Sequence, residues 1–261
     1  VEPRDGFFGS NSQSLGQAAN LTGRQGDHTI MSRIKKLLLG LVLLGVAGLA
    51  GFWILTSPTT WALTHPTRDK PSDSPPNLDN GRIMFLASGC ATCHASVAQN
   101  DETKLGGGGA LPSDFGIFFM PNISPDPEDG IGKWTTDEFI AAMREGLLPD
   151  GRHAYPAYPY TSYQRMTADD LKDLFAYMQT LPPVKGKAHA NDLPFPFSLR
   201  RGIGVWKLAF LDGKPLTPDP AQSEAWNRGR YLGLNFTHVL DAAEAVEPEL
   251  APIRAAWLAT R

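Results

Sequence analysis

The chain has little cysteine, because its 261 residues contain only two, Cys90 and Cys93. Two cysteines cannot build the disulfide framework of a small secreted domain, and thiols three residues apart would close a loop too small to stabilise a fold. The sequence also lacks a strong charge of either sign, since its formal net charge is −3, and from Pro58 onward it has no basic run. Nucleic acid is therefore not an expected partner, because binding to a phosphate backbone depends on clustered Lys and Arg.

Long apolar runs are scarce as well, with one exception near the N-terminus. Residues Leu37–Leu55 form a stretch of 19 residues without a charge, close to the ~20 residues that a helix needs to cross the hydrocarbon core. Arg33, Lys35 and Lys36 precede this stretch, so the positive-inside tendency keeps the N-terminus in the cytoplasm and places the later residues across the membrane. We expect a transmembrane signal anchor over residues 34–57, and the length of the run favours an uncleaved anchor over a signal peptide.

The segments on either side of this anchor have different compositions. The first 30 residues are polar and show no periodicity, whereas Met31 opens the basic segment with which an anchored protein would start. We therefore expect residues 1–30 to be a non-native or disordered extension and Met31 to be the biological start. Residues 58–78 contain five prolines, which predicts an extended linker that acts as a tether.

Three helices can be predicted beyond this linker from their caps and apolar spacing. The first lies near Asp79–Ser88, and a capping box that begins at Thr135 opens the second. Thr167 caps the third, whose apolar residues recur every three or four positions until two prolines at 182–183 end it. The loops between these helices are long and rich in Gly and Pro. Loops of this length are unusual in a compact domain unless they wrap a bound group.

The two cysteines belong to the motif Cys90-Ala-Thr-Cys93-His94. A zinc site would need a second pair of cysteines, which the sequence does not contain. A thioredoxin-like redox pair would lie in an alternating α/β pattern, which the sequence does not show. Cys-x-x-Cys-His is the attachment signature of c-type haem, in which both thiols form thioethers and the adjacent histidine ligates the iron. We therefore predict one covalent haem c bound to Cys90 and Cys93, with His94 as its proximal iron ligand.

An electron carrier also needs a sixth iron ligand, and a methionine sulfur in that position raises the reduction potential. The chain has six methionines. Four of them have another expected role, at the N-terminus or in helix packing: Met31, Met84, Met143 and Met178. That leaves Met120 and Met166 as candidate distal ligands. Met166 lies immediately before the cap of the last predicted helix, where a loop sulfur has little packing role.

The residues around the motif resemble a known family. The stretch "DNGRIMFLASGCATCHA", together with residues 105–184, resembles the first haem domain of the membrane-bound cytochrome c subunits of bacterial alcohol, aldehyde and related dehydrogenases, and the similarity covers about residues 79–220. The resemblance implies an all-α, cytochrome c-like haem domain with long loops over residues 79–184, preceded by a single N-terminal transmembrane helix. It also implies the bacterial inner membrane as location, with the haem domain in the periplasm.

The same resemblance implies an electron-transfer subunit rather than an enzyme. Its electron donor would be a periplasmic or membrane-bound dehydrogenase, and its acceptor a quinone, an oxidase or another cytochrome. The resembling sequences carry Met166 in the same Arg-Met-Thr context, which makes Met166 the expected distal ligand and Met120 the weaker candidate. Some of them have a methionine where this chain has Tyr158.

The C-terminal part follows the family only as far as a linker over residues 185–225. Gly229-Arg230 repeats Gly81-Arg82 and marks the place where a second haem domain should begin, but no second haem motif follows. We expect residues 226–261 to be the remnant of a second cytochrome c domain, so that the chain is truncated after its first haem domain. Two alternatives to a monohaem electron carrier stay open: a haem enzyme or gas or redox sensor with an open sixth site, and a non-functional relic.

Overall fold

The computed structural model describes residues 13–65, 69–96, 101–214 and 216–240, and within these ranges it describes side chains from residue 30 to residue 236. Two compact units divide after Ile54. The helices are α1 (Gln13–Leu55), α2 (Pro58–Thr64), α3 (Leu78–Ala87), α4 (Cys90–His94), α5 (Thr136–Glu145), α6 (Tyr160–Tyr163), α7 (Ala168–Met178), α8 (Gly202–Phe210) and α9 (Glu224–Leu240), and the strands are β1 (Ala110–Ser113) and β2 (Gly116–Phe119). The predicted all-α fold is confirmed, with one small hairpin added.

Helix α1 makes up most of the first unit. Its segment Ile30–Leu55 is long and apolar enough to cross a membrane, since 26 residues of helix extend about 39 Å and the hydrocarbon core is about 30 Å thick. The helix begins at Gln13, so residues 13–30 are helical where the sequence suggested no regular structure. A helix that has nucleated propagates into adjoining residues at little cost. Residues 1–12 of the expected extension lie outside the described residues.

The second unit is organised around the crossing of α3 and α7. Gly81 of α3 lies so close to α7 that a Cβ atom in its place would be 2.1 Å from the carbonyl oxygen of Asp173. Only glycine permits this approach of two helix backbones. The apolar side chains around the crossing form the main core: Met84, Phe85, Leu171, Leu174, Phe175 and Met178.

The predicted helix caps are present. The side chain of Thr135 accepts a hydrogen bond from the backbone N–H of Glu138, and the Glu138 carboxylate accepts one in return from the Thr135 N–H, which completes the capping box of α5. Thr167 caps α7 by accepting from the Asp170 N–H. The three helices predicted from sequence are therefore confirmed as α3, α5 and α7.

The hairpin of β1 and β2 was not predicted. Each strand has four residues, and the two strands pair antiparallel with Ala110 opposite Phe119. They lie in the Gly- and Pro-rich region for which the sequence predicts a loop. Strand β2 gains further support from a distant segment, because Ile117 and Asp192 exchange backbone hydrogen bonds of 2.8 and 2.9 Å. This pairing joins residues that sequence patterns could not connect.

The segment expected to be an extended tether is partly folded. Residues 58–64 form α2, and Trp61 is buried against Tyr160 and Leu211. Further along, Asp69 forms an ion pair with Arg144 of α5. The expectation of a poorly packed linker is therefore wrong for these residues, because the aromatic side chain of α2 provides apolar area to bury; residues 66–68 lie outside the described residues.

The C-terminal helices also belong to this second unit. Helix α8 lies within the expected linker 185–225, and α9 contributes Tyr231, Leu232 and Phe236 to the same core as α3 and α7. The described part of the expected second-domain remnant, residues 226–240, therefore packs on the first domain. Residues 241–261 of that remnant lie outside the described residues.

Candidate haem site

The Cys-x-x-Cys-His motif forms a single helical turn. Helix α3 ends at Ala87, and Gly89 adopts a left-handed conformation with φ of 62° before α4 begins at Cys90. A positive φ is readily adopted by glycine, so Gly89 allows the chain to change direction between the two helices. Neither cysteine forms a disulfide; Cys90 is half-buried and Cys93 is exposed. At a spacing of three residues, both thiols lie on one side of the turn.

His94, at the end of this turn, is held by a backbone carbonyl from a distant loop. Its Nδ1 lies 2.8 Å from the carbonyl oxygen of Pro121. A carbonyl oxygen can only accept, so Nδ1 must carry the proton and Nε2 must carry the free lone pair. Desolvation lowers the pKa of the imidazole, which favours the neutral ring. This is the tautomer and the protonation state in which a histidine ligates a metal through Nε2.

The loop that supplies Pro121 is tied to the motif at several points. The Gly107 N–H donates to the carbonyl oxygen of His94 at 2.9 Å, and the Gly108 N–H donates to that of Met120 at 2.9 Å. Gly107 has a φ of +67°, and a Cβ atom there would be 2.4 Å from the Met120 oxygen. Met120 is therefore part of the loop that supports His94.

Two tyrosines pack near Cys90. The hydroxyl of Tyr163 donates to the carbonyl oxygen of Ser88 at 3.0 Å, and the hydroxyl of Tyr158 donates to the sulfur of Met143 at 2.5 Å. Burial raises the pKa of both phenols, and the nearby Cys90 thiol raises it further, so both stay neutral hydrogen-bond donors. No sequence pattern predicts the contact between Tyr158 and Met143, because the two residues come from different segments.

Met166 is buried in the core against which Cys90 packs. Its backbone is held from both sides: its N–H donates to the carbonyl oxygen of Tyr163 at 2.9 Å, and its carbonyl oxygen accepts from Nε of Arg144 at 2.8 Å. The same guanidinium pairs with Asp69 and lowers the pKa of that carboxyl group. The Met166 backbone is thus held by contacts that reach from α5 and from the segment before α3.

These features fit a covalently attached haem. The turn offers two free thiols on one side and a histidine whose Nε2 is available, which is the donor set that haem c uses. Among the residues that the structure describes, no group of three or more His, Cys, Asp and Glu side chains converges to hold a metal ion. A multi-ligand zinc centre therefore finds no support in the described part of the chain.

Comparisons with known proteins point to the same cofactor. The cytochrome c family matches residues 78–182. The chain is 41% identical over 212 residues to a diheme cytochrome c-type protein of Cereibacter sphaeroides, covering 78% of this chain and 67% of that protein. It is 38% identical over 197 residues to the fructose dehydrogenase cytochrome subunit of Gluconobacter japonicus, covering 74% of this chain and 40% of that protein.

A third relative extends this group. The cytochrome c subunit of a quinone-dependent alcohol dehydrogenase from Gluconobacter oxydans is 32% identical over 157 residues, covering 59% of this chain and 32% of that protein. The chain thus spans about a third to two thirds of the length of these three relatives. Two of them are named as cytochrome subunits of dehydrogenases, which agrees with the expected electron-transfer role. The chain belongs to the cytochrome c family, whose cofactor is covalent haem c.

Proposed function

We propose that this protein is a membrane-anchored, periplasmic, monohaem c-type cytochrome that transfers electrons from a dehydrogenase partner to the respiratory chain. The observation that carries the proposal is the hydrogen bond from His94 Nδ1 to the Pro121 carbonyl, within a Cys-x-x-Cys-His turn. It leaves Nε2 free beside two thiols. When bound, haem c supplies an iron that accepts and gives up one electron.

Each residue of the turn has a distinct role in this proposal. Cys90 and Cys93 would hold the haem through thioether bonds, and His94 would be the proximal iron ligand. The Pro121 carbonyl orients the imidazole and increases its basicity, as partners of metal-bound histidines generally do. We assign residues 79–184 to the haem domain, because the motif and its supporting loop both lie within this range.

Met166 is the proposed distal ligand. Met120 belongs to the loop that supports His94, which makes it the weaker candidate. Met143, which is also buried, already accepts a hydrogen bond from Tyr158 through its sulfur. Met166 has a backbone fixed by Tyr163 and Arg144, which is the rigidity that a ligand needs to hold its position in both redox states.

Replacing methionine by leucine tests this assignment while preserving side-chain volume. We expect Met166→Leu to abolish the weak far-red sulfur-to-iron band of the oxidised protein and to lower the reduction potential, because the sulfur ligand is lost. Met120→Leu is the matched control and should keep both properties. An unchanged spectrum and potential in Met166→Leu would refute the ligand assignment, and an open, carbon monoxide-binding iron in the unmodified protein would favour the enzyme or sensor alternative.

The single haem and the anchor rest on separate features. The sequence contains one Cys-x-x-Cys-His motif and no other cysteine, which supports one haem per chain. The apolar helix Ile30–Leu55 supports an anchor in the inner membrane, and the basic residues before it support a cytoplasmic N-terminus. A haem-to-protein ratio near two would contradict the single haem. Release of the protein from membranes by salt alone would contradict the anchor.

The dehydrogenase partner follows from the names of the relatives, which include fructose and alcohol dehydrogenase subunits. Their substrates differ, so the proposal names the partner by class alone. The acceptor would be a quinone, an oxidase or another cytochrome. Purification of the native, membrane-extracted protein should recover a dehydrogenase whose substrate reduces the haem; rapid haem reduction by quinol in the absence of any dehydrogenase would instead place the quinone pool on the donor side.

A further inference from the structure

Helix α8 has its polar and apolar faces reversed. Its one charged residue, Lys207, is 0% exposed, whereas Val205, Leu208 and Phe210 are 50%, 56% and 63% exposed. A helix at a water-facing surface normally buries its apolar side chains and exposes its charges. The outer face of α8 is therefore unsuited to water.

The inner face of α8 is held by specific contacts. The Lys207 Nζ lies 4.2 Å from the centroid of the Trp61 ring and 3.4 Å from Nδ1 of His153. His153 in turn donates through Nε2 to the carbonyl oxygen of Thr56 at 3.0 Å. Rotating α8 to bury its apolar side chains would break the cation–π contact and the hydrogen bond of Lys207, so these contacts fix which face points outward.

The apolar face continues into the loop before the helix. Phe195 is 84% exposed, and Phe197 and Leu199 are exposed as well. A turn connects this loop directly to α8, because the Gly202 N–H donates to the carbonyl oxygen of Leu199 at 2.9 Å. We call the six exposed side chains together the α8 apolar surface: Phe195, Phe197, Leu199, Val205, Leu208 and Phe210. Exposed apolar surfaces of this kind mark interaction sites with proteins or membranes.

The position of α8 along the chain indicates which partner covers this surface. Thr56 follows Leu55, the last residue of the apolar helix α1, and consecutive Cα atoms are about 3.8 Å apart. Thr56 also packs directly on α8, because a Cβ atom on Gly204 would be 2.8 Å from the Thr56 Cβ. If α1 spans a membrane, Thr56 lies at the membrane surface, and the contact with Gly204 brings α8 to the same surface.

We propose that the α8 apolar surface inserts into the lipid interface of the bilayer that α1 spans, as a second membrane contact. The proposal rests on the anchor of the proposed function. Helices that lie in the interface bury an apolar face about 5–10 Å into the boundary between headgroups and acyl chains. Arg200 and Arg201, directly before α8, provide positive charge at the level of anionic headgroups. The chain then contacts the bilayer at two places, α1 and α8.

The test measures the depth of a nitroxide label on the full-length, haem-loaded protein in vesicles of phosphatidylcholine and phosphatidylglycerol. The wild-type chain is the labelling blank, because haem attachment consumes both native thiols. Leu208→Cys and Phe195→Cys report on the α8 apolar surface. Leu78→Cys, a leucine of similar exposure at the start of α3, is the control for a water-facing surface, and Val42→Cys reports on α1.

We expect the labels at positions 208 and 195 to be relaxed by oxygen more than by a water-soluble nickel complex, as in lipid, and the label at position 78 to show the reverse. If the label at 42 is in lipid but those at 208 and 195 match position 78, the surface faces water and the proposal is wrong while the anchor stands. Shielding of 208 and 195 from both reagents would show a protein contact and overturn the lipid assignment. A label at 42 in water would refute the anchor itself, and labelling of the wild-type chain would refute haem attachment.

Discussion

Helices α7 and α8 differ in which of their faces is buried. Helix α7 buries Leu171, Leu174 and Phe175 in the main core, and its first turn carries acidic residues next to the Thr167 cap. Helix α8 buries a lysine and exposes its apolar side chains. The same physical rule, that apolar area leaves water, explains both helices only if their outer faces meet different surroundings. The comparison indicates water outside α7 and lipid outside α8.

The largest expected effect comes from shortening one leucine on each helix. Leu174→Ala should lower the free energy of unfolding by about 2–5 kcal/mol, because it removes buried methyl groups and leaves a cavity in the core. Leu208→Ala should change it by no more than about 0.5 kcal/mol in detergent, since its side chain is already exposed. Urea titration of the detergent-solubilised, haem-loaded protein, followed by tryptophan fluorescence, measures both values. Equal destabilisation by the two substitutions would mean that α8 is packed like α7.

A smaller contrast is expected for added methyl groups at two glycines. Gly81→Ala forces a Cβ atom against the Asp173 carbonyl at the crossing of α3 and α7, and overpacking of this kind costs about 1–3 kcal/mol. Gly202→Ala, at the start of α8, has no atom within 4 Å of the new Cβ, so its effect should be neutral or slightly stabilising. The same urea titration compares the two variants. An unchanged free energy of unfolding in Gly81→Ala would show that the two helices can separate without loss of stability.

The comparison also separates what sequence could predict from what it could not. Helices α5 and α7 were predictable, because each cap lies within three or four residues of the group that it satisfies. The orientation of α8 was not, since it depends on Lys207 meeting Trp61 and His153, residues that are far away in the chain. A lysine in an apolar segment is ordinarily assigned to the exposed face, and here tertiary contacts override that rule.

The residues of the candidate site also differ in whether the sequence predicts their contacts. The thiols and the histidine of the haem motif occupy consecutive positions of one turn, so the sequence alone predicts their grouping. The carbonyl that orients His94 belongs to Pro121, 27 residues later, and the guanidinium that holds the Met166 backbone belongs to Arg144. No local sequence pattern predicts either partner. Every residue has a backbone carbonyl, so the sequence does not indicate which one binds His94, and an arginine on a helix is normally expected to face solvent.

A further expected effect is a pH dependence that arises from Lys207. Burial lowers the pKa of Lys207 to about 7, well below the pKa of about 10.4 for a free lysine. Between these two values the unfolded chain binds more protons than the native protein, so the free energy of unfolding rises with pH. Of the groups that face Lys207, Glu145 acts to raise its pKa. Burial lowers the pKa of His153 to about 4 and raises that of Tyr160, so both stay neutral in this range.

Lys207→Met isolates this contribution, because the variant keeps an unbranched side chain of nearly the same length and loses its titration. The difference in unfolding free energy, wild type minus variant, should rise between pH 7 and pH 10 and should be constant below that range, where both states of the wild-type protein are protonated. Any alkaline change at the iron is common to both proteins and cancels in the difference. If the unfolding free energies of wild type and variant change with pH in parallel, the Lys207 ammonium reaches water in the native protein. Helix α8 would then bury its charge only partly, and its contrast with α7 would be smaller.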